Sequence, residues 1–264
     1  MKRALVIGDT IIDEYIFGHA TRLCPEGPVP VIIPHSHKET SGGMGLVHEQ
    51  LAALMGPRSW ENQIHFLSGS LSKKQRIFAD DRLICRIDRD QPPSSNVADS
   101  ENWVYKEVIP HIPKYDLLII SDYGKGAFTK ESARMIQDAA KMPILADAKN
   151  NFDWYSSVFA VFPNEFERVD LPIKDLPHII RKLGPRGCSV DGQIIPLEQE
   201  HNVMDVTGAG DVFLAAFAAD MIRQMNYGFS AEEINLSTCA RFANRVAARS
   251  VEFVGTYVVT DVKI

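Results

Sequence analysis

Short apolar runs alternate with helical periodicities along this chain, and that alternation limits the fold more than any other feature. The runs at 4–7, 64–67, 117–120, 144–146 and 158–162 are continuous and bounded by turn residues. Runs of this kind predict strands covered on both faces, and the helical patterns at 40–54, 129–141 and 208–224 predict the covering layers. The fold class is therefore α/β, a three-layer α/β/α arrangement around a mainly parallel central sheet. Ligands of such sheets bind beyond the carboxyl ends of the strands, and Asp9, Asp122, Asp147 and Asn164 each follow such an end. Two segments, about 14–38 and 75–90, break the alternation. They are rich in β-formers and charges, with prolines at 25, 28, 30 and 34, and predict a small separate sheet.

With 264 residues and 45% hydrophobic composition, one domain over 1–264 with a proper core is expected. The formal net charge of −6 argues against nucleic acid or an anionic membrane as the main partner. Cys24, Cys85, Cys188 and Cys239 form no CxxC pair, which suggests neither zinc knuckle nor disulfide framework and fits reduced thiols in the cytoplasm. The opening apolar run is cut by Asp9 after only a few residues, too short for a signal peptide. No GxxxxGK[ST] occurs, and no GxGxxG follows the first strand, so a P-loop nucleotidase and a dinucleotide oxidoreductase both lack support.

One turn carries the chemistry. Asp205-Val206-Thr207-Gly208-Ala209-Gly210-Asp211 runs into an apolar helix. That places the glycines at a helix start, where free backbone N–H groups and the dipole attract anions. Asp211 falls in the first turn, placed to accept a proton from a hydroxyl attacking that anion. Helix capping by Asp205 and Thr207, with a plain tight loop, satisfies the same spacing.

The segment resembles the DTGAGD signature of the ribokinase or PfkB-type carbohydrate kinases. Gly8-Asp9-Thr10-Ile11-Ile12-Asp13 is similar to that family's first strand and sugar-binding aspartate. Cys24-Pro25-Glu26-Gly27-Pro28-Val29-Pro30-Val31 and Ser121-Asp122-Tyr123-Gly124-Lys125-Gly126 look like the kinase half of the bacterial ADP-heptose synthesis enzymes, which phosphorylate heptose 7-phosphate at its anomeric hydroxyl. Arg86-Ile87-Asp88, Asp147-Ala148-Lys149 and Asn164-Glu165-Phe166-Glu167 follow in that subfamily's order, so the likeness covers nearly the whole chain.

The resemblance implies a ribokinase-like kinase using ATP and Mg2+, with a monovalent cation also held near the turn in some members. It implies Asp211 as general base, and Gly208, Ala209 and Gly210 as an anion hole shaped by Thr207 and Asp205. Asn164 and Glu167 correspond to the NxxE motif that positions magnesium through water; helix capping by Asn164 with an ordinary first-turn glutamate is the alternative. Lys149 corresponds to a phosphate-touching lysine, with Ala148 where the family has proline. Lys182, Gly184 and Gly187 resemble the loop under the nucleotide, for which a β-turn is the alternative, and Asn244 lies on the helix lining the adenine pocket. Asp13, Gly42 and Gly43 would meet the acceptor. Arg22, Arg86 and Lys125 would meet an acceptor phosphate, unless they are solvated surface charges. The two irregular segments would form a lid that pairs with a second subunit, making a homodimer.

Three departures stand out. Leu46-Val47-His48 occupies the place of an Asn-x-Ala element, removing an amide expected to touch the sugar. The chain is trimmed after Gly69 and again between Glu167 and His178, relative to the family. No fused nucleotidyltransferase domain is expected, since eight residues follow Thr256. The altered 46–48 region keeps open a kinase for another sugar or a nucleoside, and a non-catalytic binding protein of the same fold.

Overall fold

Strand β1 (Ala4–Leu23) organises the molecule, because its two halves have different neighbours. Over residues 4–8 it runs parallel between β5 (Leu117–Asp122) and β3 (Ile64–Ala79). From Thr10 onward β5 is gone and β2 (Pro30–Gly43) pairs antiparallel instead, while β3 continues alongside as far as Gly18. Gly8 sits at the fork with φ +153°, and a β-carbon there would lie 2.1 Å from the carbonyl oxygen of Ser121. No other residue can make that approach.

The computed structural model describes residues 1–56, 63–90, 97–169, 178–199 and 201–262. Beyond β5 the sheet continues through β6 (Ile144–Ala148), β7 (Ala160–Val161) and β8 (His178–Lys182), all parallel. It ends in the antiparallel pair β9 (Cys188–Val190) and β10 (Gln193–Ile195). On the other side β4 (Arg82–Arg89) pairs antiparallel with β3, giving the order β10-β9-β8-β7-β6-β5-β1-β3-β4 with β2 attached to β1.

Alternate residues of the central strands feed two cores. Val6, Leu117, Ile119 and Leu145 pack with α1 (Met44–Met55), α4 (Ala209–Asn226) and α5 (Leu236–Ser250). Leu5, Ile7, Leu118 and Ile120 face the opposite layer. That layer holds α2 (Val97–Trp103), which passes into a π-helical turn over Val104–Val108, and α3 (Lys130–Ala139), begun by a Thr129/Ser132 capping box. Burial on both faces explains the unbroken apolar runs, each such side chain contributing about 1.5–3 kcal/mol. This is the expected three-layer α/β/α fold. Helix α4 is buried almost along its whole length because α1 and α5 both pack on it. No helix among the described residues is long and apolar enough to cross a membrane.

The irregular segments do not form a separate sheet. They are the far halves of β1 and β3 together with β2 and β4, continuous with the central sheet. The run at 64–67 and the segment after Gly69 are one strand, so the first trimming joins two strands into β3. The second trimming falls largely on 170–177, outside the described residues. The helical pattern at 40–54 begins only at Met44, since Thr40–Gly43 stay paired with β1.

Candidate active site

Where β1 parts from β5, buried Asp9 fastens the loop that follows β5. Its carboxylate accepts the backbone N–H groups of Tyr123 (2.7 Å), Lys125 (3.1 Å) and Ala127 (2.9 Å), and the Ser70 hydroxyl (2.5 Å). Asp122 accepts the Gly124 amide and the Tyr155 hydroxyl, each at 2.8 Å. Burial, with Asp9 nearby, raises the Asp122 carboxyl to about 6. These aspartates hold backbone, and the loop they hold delivers Tyr123 to the site.

Asp211 stands in the first turn of α4, only 3% exposed. Its Oδ2 accepts the Gly43 amide at 3.2 Å, and the Tyr123 hydroxyl donates to both carboxylate oxygens at 2.9 Å. Burial and then the like charge of Asp147 raise its pKa to about 7, against the pull of Tyr123, Lys182 and the Gly43 amide. A carboxylate poised near neutrality suits general-base work.

The turn before it is built by Asp205. One oxygen accepts the amide (2.9 Å) and hydroxyl (2.7 Å) of Thr207, and the other accepts the Gly255 amide (2.9 Å). Gly208 adopts φ +78°, where a β-carbon would strike Leu46 and Thr256. The amide of Ala209 is bonded to the Val206 carbonyl at 3.2 Å. The amides of Gly210 and Asp211 have no acceptor among the described residues. The Gly208 amide is likewise without an acceptor among the described residues, so of the trio read in the sequence only Ala209 is engaged, and Asp211 adds a further open donor.

Two cavities adjoin this turn. The smaller, about 230 Å³, is lined by Asp211, Asp13, Gly42, Gly43, Gly208 and Thr207, with Lys74, Arg76, Lys149 and Tyr123 on its other walls. The larger, about 820 Å³, runs past Ala209, Gly210, Lys182, Gly184, Gly187 and Asn244. Lys182 is ion-paired with Asp147, and its Nζ lies 3.3 Å from the point a Gly210 β-carbon would take. Asn244 donates to the Ile195 carbonyl at 3.0 Å, tying α5 to β10 at the back of this space.

The remaining sequence candidates lie elsewhere. Asn164 and Glu167 close a reciprocal turn: Asn164 Oδ1 accepts the amides of Phe166 and Glu167, and Glu167 Oε2 accepts the Asn164 amide at 2.8 Å. Neither lines either cavity. Arg22 is exposed near the end of β1, Arg86 pairs with Asp88 on β4, and Lys125 pairs with Asp90. The structure does not gather these three at the smaller cavity. Lys74 and Arg76 stand there instead, on one face of β3, with Arg76 donating to Asp13 Oδ1 at 2.5 Å. Leu46, read as a lost sugar contact, is 1% exposed within the core.

Comparison with known proteins agrees with this geometry. Residues 153–262 match the model of the pfkB family carbohydrate kinases. The Bifunctional protein HldE of Nitratiruptor sp. is 30% identical over 98% of this chain and 63% of its own length. That of Geobacter sulfurreducens is 28% identical over 99% and 62%. The chain thus resembles the pfkB family carbohydrate kinases over 153–262 and the HldE proteins over nearly all of its length. It spans somewhat under two thirds of the length of the curated relatives it matches. Ribokinase from Thermotoga maritima shares the fold with TM-score 0.67 at 16% identity, covering 97% of this chain and 95% of that one. Arabidopsis thaliana ribokinase, solved with ribose and ATP, gives 0.62 at 17% identity over 97% and 94%.

The residues that the sequence reading missed had a readable signal. Lys74 and Arg76 are two apart on a strand and so share a face, and the register sets Lys74 beside Asp13. Tyr123 is part of the Ser-Asp-Tyr-Gly-Lys-Gly motif, but only the fold brings it to Asp211.

Proposed function

We propose that the chain transfers the γ-phosphoryl group of ATP to a hydroxyl of a sugar phosphate, with heptose 7-phosphate as the acceptor of first choice. The observation that carries this reading is the placement of Asp211 on the wall of a small basic cavity, with the open amide of Gly210 and Lys182 beside the larger one. Lys74 and Lys149 form no ion pair among the described residues. Burial holds the Lys74 amine below its usual range, as expected of a cation awaiting an anion. A neutral sugar leaves these charges unanswered, whereas a phosphorylated acceptor meets them.

The nucleotide occupies the larger cavity with its terminal phosphate toward the turn. The amides of Gly210 and Asp211 and the amine of Lys182 stabilise charge gathering on the transferred group. The acceptor lies in the smaller cavity, where Asp13 accepts hydroxyl hydrogen bonds from the sugar. Asp211 takes the proton of the attacking hydroxyl as its oxygen bonds to the γ-phosphorus and the bond to the leaving ADP oxygen breaks.

Mg2+ belongs to this proposal. Glu167 keeps one carboxylate oxygen without a partner among the described residues, which fits an ion held mainly through water, whereas the Asn164 side chain is already engaged. Bound there with ATP, the ion would neutralise phosphate charge. A monovalent cation beside the Asp205 turn, a cytoplasmic location, and a single domain over 1–264 with the β1–β4 extension as its lid are parts of the same reading. So is a homodimer, for which exposed Leu23, Val29, Ile33, Leu83 and Ile84 on the extension offer apolar surface.

The test is a coupled assay of ADP release with ATP, Mg2+ and a panel of sugars, sugar phosphates and nucleosides. Heptose 7-phosphate is expected to give the highest kcat/KM. Turnover of a free sugar or a nucleoside in preference to every sugar phosphate would refute the acceptor assignment.

A further inference from the structure

Asp211 receives hydrogen bonds from two donors, the Tyr123 hydroxyl and the Gly43 amide. The Asp9 carboxylate fixes the backbone of Tyr123, and a β-carbon on Gly43 would fall 2.6 Å from the Asp9 carbonyl oxygen, so that strand end is equally confined. Tyr123 Oη lies 2.9 Å from each oxygen of Asp211, equidistant from the two. The amines of Lys149 (5.1 Å from the centroid) and Lys74 (6.0 Å) lie over its ring, contacts that favour a fixed ring. Burial and the Asp211 charge push the phenol well above its usual range, so it stays protonated and donates.

We propose that Tyr123 is a positioning residue for the general base: its hydroxyl aims the Asp211 carboxylate at the acceptor and stabilises the ionised form of that carboxylate. The inference rests on the kinase reading above for its catalytic consequence. Asp147 from β6 opposes ionisation of Asp211, Lys182 from β8 and the Gly43 amide favour it, and Asp13 from β1, Lys74 and Arg76 from β3 and Lys149 after β6 line the same cavity. Removing the phenol leaves Asp147 less opposed, so the base protonates at higher pH. A hydrogen bond to a charged group is strong enough to move that titration by about one pH unit. A tyrosine that merely filled space would leave the titration where it is.

The experiment has two arms on wild type, Tyr123→Phe, Asp211→Asn and the double variant. Difference infrared spectroscopy on the protein alone follows the carboxyl titration that Asp211→Asn abolishes. Its midpoint is expected to rise by about one pH unit in Tyr123→Phe. Steady-state kinetics with ATP and heptose 7-phosphate is expected to show the acid limb of kcat displaced upward by the same amount, with KM for ATP little changed. Tyr123→Phe is expected to add no further loss to Asp211→Asn. An unmoved midpoint in the first arm overturns the proposal, as does a full additional loss in the double variant. If wild type turns over no acceptor, the kinase reading fails, and the infrared arm still decides the role of Tyr123.

Discussion

Leu46 Cδ2 lies 2.5 Å from the point where a β-carbon on Gly208 would sit, so a core leucine forms the floor of the anion-binding turn. Thr256 closes the other side at 2.9 Å. Gly208→Ala must therefore displace both neighbours and hold alanine at φ +78°, a region that costs L-residues about 1–2 kcal/mol by itself. We expect a total loss of about 2–4 kcal/mol in urea unfolding and a fall in kcat of at least about tenfold, because the Gly210 and Asp211 amides move with the turn.

The same contact gives a departure noted in the sequence a structural role. Leu46 stands where an asparagine was expected, and the sequence reading treats it as a missing sugar contact. Its burial makes it a packing residue. Leu46→Asn is expected to lower stability by about 3 kcal/mol through an unpaired buried amide and lost packing, with no gain in kcat/KM for any sugar. Chemical denaturation and an acceptor panel measure both effects; a rise in kcat/KM for a free sugar would contradict the packing role.

The strand–helix alternation and the place of Asp211 were legible because each rests on local pattern: apolar runs for β1, β5 and β6, and a glycine turn before α4. What escaped was long-range. Nothing local distinguishes the half of β1 beside β5 from the half beside β2, so the extension read as a separate sheet. Asn164 and Glu167 carry a spacing that serves a reciprocal turn as well as a metal site, and the turn is what their hydrogen bonds form. Arg22, Arg86 and Lys125 were chosen by motif, whereas Lys74 and Arg76 reach the cavity through the register of β3 against β1.

Asp211, raised to about 7 by burial and Asp147, has to lose its proton to act as the base, so kcat is expected to climb through about pH 7 and level off above it. Asp147→Asn removes the opposing charge and is expected to move that limb to lower pH. A limb that stayed in place would exclude coupling between the two carboxylates.

That raised pKa also bears on stability. A carboxyl whose folded pKa exceeds its unfolded value near 3.8 favours the folded state fully below the unfolded value. The advantage is lost as pH rises through about 7. Asp211→Asn is therefore expected to match wild type at pH 4 and to exceed it by roughly 2–4 kcal/mol at pH 8. At the same time kcat should fall by about 10²–10⁴, the usual share of a general base. Thermal melts at the two pH values and one rate assay give all three results. Equal stability at pH 8 would mean that Asp211 ionises without penalty.

Strand β4 has only β3 as a partner among the described residues, and all eight of its residues are exposed. Leu83 and Ile84 on it leave apolar surface next to an unpaired strand edge, a combination that soluble proteins normally cover. If a second copy supplies the cover, Leu83→Asp places an unpaired charge in the interface and should convert a dimer to monomer at micromolar concentration. Because Leu83 pairs with Phe78, at the opposite end of β4 from the Asp88–Lys74 pair beside the cavity, the monomer should keep the Asp211 titration. Sedimentation velocity reads the mass. A wild-type monomer, or a variant that stays dimeric, would exclude this face as the subunit contact, and a variant that also lost the Asp211 titration would show that the extension and the base are structurally coupled.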